Sequence, residues 1–127
     1  MNDPQDARYT DQNQWVRMAG DVAVIGITFH GQSALGDIVT VELPPLGRVL
    51  VQGQGLALVE SVKAVFEFGA PLSGVVVERN EKVVDAPGLI NQDCYGAGWL
   101  FKVRPSNLAE LDSLMTAEQY DFAVRNA

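Results

Sequence analysis

Short runs of alternating or continuous β-branched residues, each closed by glycine, proline or asparagine, recur along the chain and predict strands rather than helices over most of its length. The clearest are "DVAVIGIT" (21–28), "DIVTVEL" (37–43), "LALVES" (56–61), "AVFEF" (64–68), "GVVVER" (74–79) and "GWLFKVR" (98–104). Between the first two, "HGQSAL" suits a helical turn. "PPLG" (44–47) must be a turn, because proline fixes φ and lacks the donor that a central strand uses. "NEKVV" (80–84) opens on an Asn cap and stops short of Pro87, which predicts one short helical segment.

After Pro105 the period changes. "SNLAELDSLM" (106–115) spaces Leu108, Leu111, Leu114 and Met115 along one helical face, and "TAEQYDFAVRNA" opens with Thr116 and Gln119 at capping-box spacing. The expected architecture is therefore mainly β, closed by C-terminal helices. Its expected layout is a single domain over 1–127, with a flexible N-terminus over 1–8, a β core over 9–105 and helices over 106–127.

Composition narrows the function classes. At 47% apolar and 20% charged the chain has enough core-forming residues to fold. A net charge of −7 repels phosphate backbones and anionic headgroups, which argues against nucleic-acid or membrane-surface partners. No apolar run approaches the roughly 18 residues needed to cross a bilayer, and "MNDPQDARYT" lacks the order of a secretory signal, so a cytoplasmic address is expected. The only cysteine, Cys94, cannot form an intramolecular disulfide and reads as a small half-buried side chain. His30, the only histidine, reads as a packing or capping residue, since a metal ligand would lack partners.

Within "LALVESVKAVFEF" (56–68) one lysine interrupts an apolar run. A helix there would bury Lys63 without a partner, whereas two strands meeting at "SVKA" leave the ammonium hydrated at a hairpin tip. With no Gly, Asn or Pro, the tip is expected to avoid positive φ, and its side chains are not expected to make the turn. A protruding lysine on a rigid turn suits a swinging-arm carrier, in which acylation of the amine attaches a long tether. A Schiff-base enzyme fits less well, because the acidic neighbours Glu60 and Glu67 hold an amine protonated. Residue pattern alone leaves a merely solvated lysine and a carrier site both open.

"ESVKA" (60–64) followed by "APLSGVVVERN" (70–80) resembles the lipoylation hairpin of the glycine cleavage system H protein family. Around it "YT...WVR" (9–17), "GDVAVIGIT" (20–28), "LGDIVTVELP" (35–44), "GLIN.D.YG.GWLFKVRPS" (88–106) and "ELDSLMTAEQY" (110–120) keep the family order. The resemblance implies a barrel-sandwich hybrid fold of the lipoyl and biotinyl type. It implies lipoate, covalently attached to Lys63, with Glu60, Ser61, Val62 and Ala64 read by a lipoate ligase or lipoyltransferase. Val62 and Ala64 stand where biotinyl relatives usually carry methionines, which favours lipoate.

By the same resemblance the protein is a non-catalytic carrier. It would shuttle an aminomethyl group between glycine decarboxylase, aminomethyltransferase and dihydrolipoamide dehydrogenase, as a monomer. Candidate residues of a cleft where the loaded arm rests are Gln14, Phe29 and Glu67. The family usually has Glu at the position of Gln14, commonly Asp at Phe29, Glu at Pro45 and Pro at Cys94, and often a large residue at Gly69. A Gln can hydrogen-bond an amine but cannot neutralise a charged one. These departures keep two alternatives in view: an H-protein-like lipoate-binding protein carrying sulfur species to a heterodisulfide-reductase-like complex, and an unmodified interaction module or lipoate depot.

Overall fold

The computed structural model describes residues 3–126. Among them the chain runs β1 (Arg8–Tyr9), β2 (Gln14–Ala19), β3 (Val22–Ile27), α1 (Phe29–Leu35), β4 (Ile38–Glu42), β5 (Val49–Leu50), β6 (Gly55–Ser61) and β7 (Val65–Gly69). It continues through β8 (Gly74–Arg79), α2 (Glu81–Asp85), α3 (Gly88–Gln92), β9 (Phe101–Pro105), a 3-10 turn (Leu108–Ser113) and α4 (Ala117–Arg125). All six strands read from the alternation are present. Two antiparallel sheets form, one of order β1-β2-β3-β9-β8-β5 and one of order β4-β6-β7.

Period-2 alternation explains the packing of the sheets. Ala23, Ile25 and Ile27 of β3, Val41 of β4, Ala57 and Val59 of β6, Phe68 of β7, and Phe101 and Val103 of β9 all turn into one core. A second, aromatic cluster of Tyr9, Trp15, Ala117 and Tyr120 lies against α4, with Tyr9 and Tyr120 stacked at 4.8 Å.

Several expectations are corrected. The N-terminal segment is packed over its described part: Ala7 is buried, Arg8 and Tyr9 pair with Val16 and Trp15, and Tyr9 Oη donates to Pro4 O at 2.6 Å. Residues 1–2 of that segment lie outside the described residues. The expected face of 106–115 is realised only in part: the segment is a 3-10 turn and Leu108 is 60% exposed, while Leu111 and Leu114 pack against the main core and Met115 against the aromatic cluster. Met115 exchanges both backbone hydrogen bonds with Tyr9, at 2.8 Å each, and Leu114 before it is extended, so a helix cannot continue. Strands β1, β2 and β5 and helix α3 carried no clear periodic signal. The caps are as read: Asn80 caps α2, and Thr116 and Gln119 make both bonds of a capping box at α4. His30 is exposed and does not cap α1, because Thr28 Oγ1 takes that role by accepting from Gly31 N at 3.0 Å.

Candidate functional site

The β6–β7 hairpin closes on the lysine. Glu60 pairs with Val65, and Ser61 N donates to Ala64 O at 2.8 Å. Ser61 Oγ accepts from both Lys63 N and Ala64 N at 3.2 Å, an ST-type turn in which the side chain replaces a backbone acceptor. No residue of 61–64 has positive φ, as expected. The expectation that side chains do not make this turn is overturned. Ser61 is 6% exposed and its hydroxyl is committed to the turn, so of the four residues expected to be read by a modifying enzyme only Glu60, Val62 and Ala64 are exposed. A serine at the first position of the turn, a residue type that accepts from amides two and three positions on, is the signal the sequence offers.

Lys63 itself is exposed and, among the described residues, makes no ion pair. Its stem passes over Gly36, and the turn is tied down beside it by Val62 N donating to Asp37 O at 3.0 Å. A hydrated primary amine on a hydrogen-bonded turn can be acylated once it is deprotonated. Its exposure is the opposite of the enclosed, apolar setting in which Schiff-base lysines work. No group of three or more His, Cys, Asp or Glu that could hold a metal occurs among the described residues.

Between α1 and β7 lies a cleft of about 130 Å³ walled by Ala34, Leu35, Phe66 and Phe68 and closed by Gln12 and Asn13. A larger hollow of about 510 Å³ shares Gln12 and continues past Gln14 and Gly69 towards Met115. Gln12 Oε1 accepts from Gly69 N at 2.8 Å, and a β-carbon on Gly69 would stand 3.2 Å from that oxygen. Gln12 thus stands at the wall between the two spaces, held by the Gly69 amide.

The three expected cleft residues are not brought together. Gln14 lines the larger hollow but is 2% exposed, with Nε2 donating to Gly69 O at 2.9 Å and Oε1 accepting from Thr10 Oγ1 at 3.0 Å. Phe29 lines neither space; its backbone N–H donates to Tyr95 Oη at 3.0 Å at the start of α1. Glu67 stands on the opposite face of β7 from Phe66 and Phe68 and lines a separate depression with Pro45, Arg48 and Gly55. Alternation along the strand separates them. The residues that do line the narrow cleft, Gln12, Leu35 and Phe66, carry no sequence signal beyond being apolar or polar in the right segments.

Cys94 is buried at 3% exposure rather than half-buried, and its backbone carbonyl accepts from Trp15 Nε1 at 2.9 Å. Burial pushes its thiol pKa up to about 11. An aromatic disulfide reagent at pH 8 should therefore label the folded protein at least about 100-fold more slowly than the protein in denaturant. Labelling at comparable rates in the two states would show that the thiol is open to solvent.

With this geometry in place, the likeness to known proteins is direct. Residues 7–127 match the family described as "Glycine cleavage H-protein". A glycine cleavage system H protein of Symbiobacterium thermophilum is 48% identical over 120 residues, 94% of each chain. One of Bacteroides fragilis is 46% identical over 127 residues, the whole of both chains. The crystal structure of a glycine cleavage system H protein from Mycobacterium marinum superposes with a TM-score of 0.88 at 39% identity, covering 95% of this chain and 98% of that one. An exposed lysine on a closed hairpin, the two-sheet fold that carries the hairpin and a family match over nearly the full length lead to one conclusion: the chain belongs to the glycine cleavage H-protein family.

Proposed function

We propose that Lys63 Nζ is the atom to which lipoate is joined as an amide, and that the arm so formed rests in the cleft between α1 and β7 when it is not engaged by a partner. Members of this family are lipoyl carriers and not themselves catalysts, and this chain is one of them. The single observation that carries the assignment to Lys63 is its place: exposed, free of ion pairs among the described residues, on a turn closed by Ser61 and tied to Asp37. When attached, the lipoyl group supplies a dithiolane that takes up and gives up an aminomethyl group.

The protein's own residues do the rest. Ser61 and the Val62–Asp37 bond hold the launch point still, so the tether sweeps a small volume and its end is concentrated near each partner's site. Leu35, Phe66 and Phe68 offer an apolar wall along which a hydrocarbon arm is shielded from water. Gln12, at the end of that wall, presents a neutral amide.

The partners on this reading are a lipoate ligase or lipoyltransferase, then glycine decarboxylase, aminomethyltransferase and dihydrolipoamide dehydrogenase. We read the chain as one carrier domain, monomeric and cytoplasmic, with no nucleic-acid or membrane partner. Its charge of −7 supports that, and no helix among the described residues is long and apolar enough to cross a membrane. Nothing in the site or among the relatives named above favours the sulfur-carrier alternative.

Intact mass after incubation with lipoate ligase, lipoic acid and Mg-ATP tests the proposal, with one added lipoyl group expected. The loaded protein should then support glycine–bicarbonate exchange by purified glycine decarboxylase. An unmodified chain under conditions that lipoylate a control domain defeats the carrier assignment. Glu60 is exposed on the outer face of β6 and, among the described residues, has no ion-pair partner. Glu60→Ala should accordingly cut lipoylation at least about tenfold in kcat/KM while shifting stability by no more than about 0.5 kcal/mol. Equal rates for variant and wild type would reduce Glu60 to a solvated strand residue.

A further inference from the structure

The turn that carries Lys63 rests on the short connection between α1 and β4, Gly36–Asp37–Ile38. Asp37 O accepts from Val62 N at 3.0 Å. Gly36, at φ 77° in the left-handed region, leaves open the space over which the lysine stem passes. A β-carbon there would stand 3.4 Å from Lys63 Cε and 3.8 Å from Nζ. The seat of the lysine is therefore this connection, and its own backbone groups need partners that neither α1 nor β4 fully supplies.

One side chain supplies them. Asn91, half-buried in α3, accepts from Ile38 N through Oδ1 at 3.0 Å and donates from Nδ2 to Gly36 O at 2.9 Å. Nδ2 also donates to Gln32 Oε1 at 3.0 Å, and Gln32 Nε2 in turn donates to Phe29 O at 3.1 Å. Both amide protons and the amide oxygen of Asn91 are thus used, and they bracket Asp37 from its two sides. The carbonyl between them, Asp37 O, is the one that holds the lysine turn.

We propose that Asn91 is a positioning residue for the acylation of Lys63: by locking Gly36–Ile38 it fixes the seat on which the turn and the lysine stem rest, and so presents Nζ to the modifying enzyme. The inference rests on Lys63 being the lipoylated residue. In the reaction Lys63 first gives up its ammonium proton, and the nitrogen lone pair then attacks the carbonyl of a lipoyl-adenylate. A C–N bond forms, the C–O bond to AMP breaks with its electron pair leaving on the phosphate, and the second proton passes to solvent or to the ligase. Asn91 touches none of these atoms. Its contribution is to the fraction of molecules whose turn is in the acceptor geometry, so its loss should raise the apparent KM for the protein substrate more than it lowers kcat.

The experiment uses the full chain with purified lipoate ligase, lipoic acid and Mg-ATP, well below every variant's unfolding temperature. Asn91→Ala should raise KM for the carrier about tenfold with a smaller change in kcat, and hydrogen exchange at the Val62 amide should accelerate by a similar factor. Asn91→Asp keeps the acceptor for Ile38 N but sets a carboxylate oxygen against Gly36 O and Gln32 Oε1, so it should show the same split at least as strongly. Asn91→Ser, small, neutral and polar, is the variant to use where either of these fails to fold, and should show the same split. Tyr120→Phe is the control. It removes a hydroxyl that bridges Thr28 Oγ1 and Asn13 Oδ1 at 2.7 Å each, away from the turn, and should lower stability without moving KM or Val62 exchange. Wild-type KM and Val62 protection in the folded Asn91 variants would overturn the inference while leaving the carrier assignment standing. A wild type that is never modified would overturn both.

Discussion

Lys63→Arg should abolish lipoylation completely and leave the protein folded. Arginine keeps the positive charge and most of the aliphatic stem, but its delocalised guanidinium stays protonated at every usable pH and offers no free amine for amide formation. The native side chain is exposed, and among the described residues it donates to no side chain and makes no ion pair, so stability should shift by no more than about 0.5 kcal/mol. Intact mass reads the first outcome and a urea midpoint the second. A lipoyl group on the variant would place the attachment on Lys82 or Lys102 instead. Lys102 is already paired with Glu78 at 3.3 Å and lies 4.9 Å from the Trp99 ring, a poor acceptor geometry. A large loss of stability would mean that the stem over Gly36 matters to the fold as well as to the chemistry.

The second large effect concerns Gln14. From sequence, restoring the carboxylate usual in the family would help hold a cationic cargo by about 1 kcal/mol for a partly exposed pair. The structure reverses that expectation for this chain. Gln14 is buried, and its Nε2 is the donor to Gly69 O. Gln14→Glu removes the donor and sets an acceptor against that carbonyl in a place with little water, so it should cost about 1–3 kcal/mol at pH 7. Gln14 also stands outside the narrow cleft proposed for the arm and is 2% exposed, so a carboxylate there does not meet the cargo, and exchange with glycine decarboxylase should not improve.

The pH dependence follows from the sign of the shift. Burial disfavours the charged form, so the folded-state pKa of the introduced carboxyl lies above its ordinary value of about 4.3. Below that ordinary value both folded and unfolded states are protonated, the neutral carboxyl can donate to Gly69 O, and the variant keeps most of the wild-type stability. As the pH rises through the unfolded and then the folded pKa the relative stability falls, and it is level above the folded pKa. Urea midpoints of wild type and variant at pH 4 and pH 7.5 check this. An equal difference at both pH values would show that the new carboxylate reaches water or a cation and that Gln14 is not confined as described.

Much of this was legible in the residues themselves because it depends on local rules. Strands β3, β4, β6, β7, β8 and β9 announce themselves by β-branched alternation between glycines. The Asn80 cap and the Thr116–Gln119 box need only neighbours three positions away. The exposure of Lys63 follows from the cost of burying an ammonium without a partner, and the role proposed for it from the resemblance carried by "ESVKA" in its collinear setting.

Other features were decided only when distant segments met. Gln14 is polar, yet β2 buries it, because Thr10 and Gly69 supply its hydrogen bonds from two other places in the chain. Residues 106–115 have helical spacing, but Met115 pairs with Tyr9, and two backbone hydrogen bonds to a remote strand outweigh a local preference for one more turn of helix. Phe29 is expected beside Gln14 from its family position, and Glu67 as a carboxylate in place of the usual Asp. Strand alternation and the start of α1 send them to separate surfaces, since which face a side chain occupies is settled by register against partner strands. Asn91 lies in the family-like stretch "GLIN" (88–91), but nothing in the sequence gives its side chain a role. Its amide becomes the support of the lysine turn only because α3 folds back against the end of α1, where unsatisfied backbone groups at Gly36 and Ile38 leave room for one carboxamide. Local chemistry thus placed Lys63 in water at a hairpin tip, and tertiary packing chose which polar groups hold that tip in place.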